Sequence, residues 1–108
     1  MGTVKRSLIA ARALIDTPEK WRKDEQSGHE NCCAMVAVNR VFGTDGGWVD
    51  DDIATLVRLA LFEELPQAFK SLGRPRHPAI LVGNFNDHPA TTHADIMALF
   101  TRAIEAQP

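Results

Sequence analysis

A cysteine, a histidine and an amide or carboxylate are the parts of a thiol hydrolase, and this sequence holds all of them. Cys33 opens an apolar run, and His88 follows directly on Asn86 and Asp87. A cysteine near a helix N-terminus has a lowered thiol pKa, a histidine can act as its base, and Asn or Asp can orient the imidazole. The set is therefore Cys33 with His88, or with His29 as the other base, and Asn86 or Asp87 behind the ring. The local signature that marks the cysteine of such enzymes is missing. A small buried apolar residue, the common state of a free cysteine, is the simpler account of Cys33.

The same residues suggest two other chemistries. His29-x-x-Cys32 with His88 and His93 could approach a metal site. Tetrahedral zinc needs about four well-spaced ligands. His29-x-x-Cys32 is half a site, and His93 falls in the first turn of a helix, where it is expected to face solvent. No metal and no cofactor are expected. Asn86 and Asp87, with Trp21, are candidate binding residues: a polar pair at a pocket mouth beside an aromatic ring. Against that stands turn chemistry, because Asn and Asp side chains commonly bond nearby backbone and shape loops. Packing is likewise the ordinary role of Trp21 and Trp48. Lys70, Arg74, Arg76 and His77 make a local basic cluster around two prolines, offset by the acidic run Asp50-Asp51-Asp52.

The elements that must position these residues read as helices. Residues 3–15 carry Val4, Leu8, Ala11 and Ile15 on one face, with Leu14 beside them and Thr3 as a plausible cap. Asp16-Thr17-Pro18 ends this helix, and Pro18 can open one more turn through Trp21. Residues 22–31 hold nothing apolar and read as a loop. Residues 32–42 read as the most buried helix, capped by Asn31 and stopped by Gly43. An acidic start at residues 50–52 suits the positive end of the next helix. There Ile53, Leu56, Val57 and Ala60 form a stripe that Leu59, Leu61 and Phe62 widen. Pro66 interrupts, and Leu65, Phe69 and Leu72 give a shorter helix ending at Gly73. Residues 79–82 fit a short strand or one to two helical turns, and residues 83–89 read as a turn-rich loop. Thr92 and Asp95 make a capping-box start for a last helix with Ile96, Leu99, Phe100, Ala103 and Ile104 inward.

Composition bounds the rest. The chain has 108 residues, 44% hydrophobic and 24% charged, with net charge −2. That length suits one domain, here residues 1–108, with one core. No run approaches the ~18 apolar residues of a membrane helix. The opening residues lack a signal-peptide pattern, and Arg6 stands where a myristoylation motif needs Ser or Thr. The charge balance points away from nucleic acid. Adjacent Cys32 and Cys33 close no useful loop, so reduced thiols and a cytoplasmic setting are expected.

Three stretches together resemble a known pattern: Trp21 before a polar loop, Cys33-Ala34-Met35-Val36-Ala37-Val38, and Phe85-Asn86-Asp87-His88-Pro89-Ala90-Thr91 ahead of Ile96-Met97-Ala98-Leu99. They resemble a family of small uncharacterised bacterial and phage proteins, a domain of unknown function. Its members carry a Cys-Ala-x-Gly-Ala helix and a Trp-Asn-Asp-x-Pro-x-x-Thr loop before the last helix. Val36 here replaces the family's Gly, and Phe85 replaces its Trp. The resemblance spans roughly residues 4–106 and implies a mainly helical domain. It brings no activity, cofactor or catalytic residue with it.

The expected protein is mainly α, a small bundle of about five helices, with a strand-like segment near Ile80 and Val82 left open. Residues 32–42 and 53–62 are its expected core. The balance falls on a non-catalytic binding or accessory module, homo-oligomeric or with a protein partner. The alternative is the Cys33 hydrolase.

Overall fold

The computed structural model describes residues 2–23, 33–44, 47–70 and 78–108. Among the described residues the elements are all helices: α1 Thr3–Leu14, α2 Ala34–Val41, α3 Asp52–Glu63, α4 Gln67–Lys70, α5 Pro78–Asp87 and α6 His93–Glu105. Asn31, His29, Cys32, Gly73 and the basic cluster at Arg74, Arg76 and His77 lie outside the described residues.

Helix α1 buries Ser7, Leu8 and Ala11, and Ile15 just beyond it, as its apolar spacing requires. Its cap is Gly2 rather than Thr3. Gly2 holds the extended backbone of a capping position, while Thr3 is already helical and its carbonyl accepts the Ser7 hydroxyl at 2.8 Å. The residues after α1 form a single turn, closed by Lys20 N–H to the Thr17 carbonyl.

Helix α2 is the innermost element, with six of its eight residues buried. It packs on α1, α3 and α5. Its cap is Cys33, whose sulfur accepts the Val36 N–H at 3.4 Å. The expected glycine stop holds: Gly43 sits at φ +97°, the left-handed region where a side chain would be strained.

Helix α3 begins on Asp51, which accepts from Ile53 and Ala54 N–H at 2.8 and 3.1 Å. Negative charge and unpaired N–H groups meet there. Its buried face is Ala54, Val57, Arg58 and Leu61. The expected stripe is rotated from this, because Leu56 and Leu59 are exposed. The inward position next to Val57 goes to Arg58, so the apolar pattern alone misplaces the helix.

Helix α5 is continuous over Pro78–Asp87. The strand option near Ile80 and Val82 is therefore wrong, and so is the turn-rich loop over residues 83–87. Burial of Ala79, Leu81, Val82, Phe85 and Asn86 keeps the chain helical through residue types that favour turns. Pro78 stands at the first helical position, where its missing N–H costs nothing. Helix α6 carries the full capping box: Thr92 Oγ1 accepts the Asp95 N–H, and Asp95 Oδ2 accepts the Thr92 N–H. Ile96, Leu99, Phe100, Ala103 and Ile104 are buried as expected. One apolar cluster joins α1, α2, α3, α5 and α6.

Candidate functional site

Asn86 joins three parts of the described fold. It is fully buried near the end of α5. Its Oδ1 accepts from Trp21 Nε1–H at 2.7 Å and from the Ala34 N–H at 3.1 Å. Its Nδ2 donates to the Arg22 and Lys23 carbonyls at 3.2 and 3.3 Å, and to Asp87 Oδ1 at 3.0 Å. Trp21, Asn86 and Asp87 are thus brought together, through bonds they make with one another. Asp87 is exposed, and Trp21 is half-buried against the core. Lys23 completes the join by donating to the His88 and Pro89 carbonyls at 2.6 and 3.1 Å, which satisfies acceptors at the α5 C-terminus.

Cys33 sits at the N-terminus of α2, one residue before the Ala34 N–H that Asn86 holds. It is 1% exposed. His88 is exposed, just past α5. Its Nδ1 accepts the Ala90 N–H at 3.1 Å, so a neutral ring carries its proton on Nε2. The ring meets Phe69 edge to face at 5.4 Å. His93 does not face solvent as expected. It is half-buried, its Nε2 lies 2.8 Å from the Ile15 carbonyl, and its ring packs on Trp21 at 6.0 Å. The end of α1 supplies a carbonyl that needs a donor, which explains the inward turn. Among the described residues no group of three His, Cys, Asp or Glu side chains could hold a metal ion.

His88 forms the wall of a half-open groove of about 310 Å³ between α4, α5 and α6. Phe69 and Phe85 give it an apolar floor, their rings edge to face at 5.1 Å. Asp95, Ala98 and Arg102 line the α6 side. Asp95 and Arg102 are seven positions apart on one helix, roughly 10 Å along its axis, with a small side chain between them. Asp95 uses Oδ2 for its cap, and Arg102 donates through Nη2 to the Glu64 carbonyl at 3.1 Å. Of these residues sequence reasoning singles out only His88 as a site residue. The Asp95-x-x-Ala98-x-x-x-Arg102 spacing is the one available signal.

A second unforeseen feature is Arg58, 1% exposed inside α3's packing face. Its Nη2 donates to Asn39 Oδ1 at 2.9 Å and to the Val49 carbonyl at 2.8 Å. The guanidinium lies 3.8 Å under the ring of Trp48, which is 54% exposed rather than packed in the core. Burial lowers the Arg58 pKa, and the charges of Asp50 and Asp51 oppose that shift.

The model of one protein family, described as a family of unknown function (DUF6197), matches residues 1–106. No curated protein and no solved structure matches the chain.

Proposed function

Since the chain belongs to DUF6197, a family of unknown function, we propose from its geometry a non-catalytic binding module whose site is the α4–α5–α6 groove. The carrying observation is the arrangement of that groove, an apolar floor with a carboxylate and a guanidinium at opposite ends of one helix face. The fitting ligand is a small zwitterion with a flat apolar body. Its ring lies on Phe69 and Phe85, its ammonium faces Asp95, and its carboxylate faces Arg102 and the Nε2–H of His88. A pocket near 300 Å³ is at the small end of ligand sites. The adjacent cysteine pair and the sequence resemblance support a cytoplasmic setting in a bacterial or phage source.

The test is titration of ¹⁵N-labelled protein with 4-(aminomethyl)benzoate. At about 0.3 kcal/mol per non-hydrogen atom, a ligand of this size binds with a Kd in the millimolar range. Saturable shifts of α6 amides around Ala98 are expected, with binding at least about tenfold weaker in Arg102→Ala, which removes a charge-assisted contact. Absence of any saturable shift in the wild type would sink the groove as a zwitterion site.

A Cys33-dependent hydrolase with His88 and Asn86 or Asp87 has weaker support. The sulfur is buried and accepts a helix N–H, and Asn86 is committed to Trp21 and Ala34. Iodoacetamide is expected to alkylate Cys33 at least about 100-fold more slowly in the folded than in the unfolded protein, as for a thiol reached through opening. Peptide mass analysis separates Cys33 from Cys32. Rapid native labelling confined to Cys33 would favour the hydrolase.

A further inference from the structure

Arg58 carries an unmet demand that the groove does not address. Both hydrogens of Nη2 are spent on Asn39 and Val49. Nε and Nη1 are buried and have no hydrogen-bond partner. A buried donor left unmade is costly, and native proteins rarely keep one without a use. The guanidinium nevertheless lies only one ring thickness below the surface, because Trp48 covers it at 3.8 Å and is itself 54% exposed.

The nearby charges say which acceptor is missing. Asp50 and Asp51 offset the positive charge without satisfying its free donors. Asp51 Oδ1 accepts from Ile53 and Ala54 N–H, and neither Nε nor Nη1 of Arg58 reaches an Asp51 oxygen. Asp50 and Asp52 are exposed. What Arg58 lacks is therefore hydrogen-bond acceptors, not counter-charge. The acidic residues 50–52 also repel phosphate and free carboxylates. A neutral carbonyl oxygen is the acceptor that satisfies both conditions. Cations beside it would meet Asp50 and Asp52.

We propose that Arg58 and Trp48 form a docking site for an extended, lysine- or arginine-bearing segment of a partner protein, with Trp48 as a lid. When the lid lifts, main-chain carbonyls of the segment accept from Nε–H and Nη1–H. Its basic side chains pair with Asp50 and Asp52.

The full chain, labelled with ¹⁵N-arginine, gives a direct readout through the Arg58 Nε–H resonance, assigned by its loss in Arg58→Lys. The probe is a capped peptide of alternating glycine and lysine, with the glycine–glutamate peptide and sodium phosphate in parallel. The lysine peptide is expected to shift the Arg58 resonance. Trp48→Ala is expected to tighten binding about tenfold, as when a competent state populated near one in ten becomes dominant. The paired Asp50→Asn and Asp52→Asn variant is expected to weaken it. If Arg58→Lys fails to fold, the resonance is assigned from Trp48→Ala, and the acidic variant still tests the site. An Arg58 resonance unmoved by the lysine peptide in both wild type and Trp48→Ala overturns the proposal, and leaves internal water as the acceptor. Phosphate acting alone, or the glutamate peptide acting equally well, also overturns it, in favour of a small-anion site.

Discussion

Replacing Asn86 with alanine is expected to lower the melting temperature by about 15 °C, from a loss of about 3 kcal/mol. The variant removes one acceptor shared by Trp21 Nε1–H and the Ala34 N–H. It also strips a donor from the Arg22 and Lys23 carbonyls. Each buried polar group left without a partner costs about 1–3 kcal/mol, so several lost together exceed a single hydrogen bond. Asp87→Ala is the control. Asp87 is exposed, and its removal leaves the bonds of Asn86 to Trp21 and Ala34 in place, so its effect is expected to be clearly smaller than that of Asn86→Ala. Thermal unfolding followed by far-UV circular dichroism checks both. Equal effects at the two positions would mean that the polar join contributes little.

Phe100→Ala should act through the core instead. Phe100 is fully buried on α6. Truncating a buried phenylalanine removes transfer free energy and leaves a cavity, together about 3–5 kcal/mol, which is about 20 °C for a domain of this length. That is a large share of a total stability of about 5–15 kcal/mol, and partial unfolding at 37 °C is expected. Leu56→Ala is the informative partner. The apolar stripe in the sequence puts Leu56 in the core, whereas the folded α3 leaves it 47% exposed. Urea midpoints should therefore separate the two variants widely, with Leu56→Ala within about 1 kcal/mol of wild type. A large loss at Leu56 would rotate α3 back to the orientation its periodicity suggests.

Elements whose signals sit within one turn are legible in the amino-acid order alone. Thr92 and Asp95 are three residues apart, and their capping box forms as written. The acidic start of α3 and the glycine stop of α2 are equally local. Helix α5 is not legible past Val82. Gly83, Asn84, Asn86 and Asp87 are turn formers, and only distant packing makes them helical. The partners of Asn86 in residues 21–23 and at Ala34 are 52 to 65 positions away. No window along the chain reports such a contact. Residue type is enough to pick out Trp21, Asn86 and Asp87, while the bonds joining them come from the fold. Arg58 is the opposite case, a charge inside an apolar stripe with nothing nearby in sequence to predict its burial. The groove gathers residues from Pro66 to Arg102, across three helices, and only its α6 edge has a readable spacing.

The Asn86 side chain holds the Lys23 carbonyl and the Ala34 N–H at the same time. One planar amide, donating on one side and accepting on the other, therefore joins the backbone at Lys23 to the start of α2. A carboxylate of the same shape, as in Asn86→Asp, would keep the acceptor and set a second oxygen against the Arg22 and Lys23 carbonyls. The two pieces of backbone are thus matched to an amide, and shape alone does not replace it.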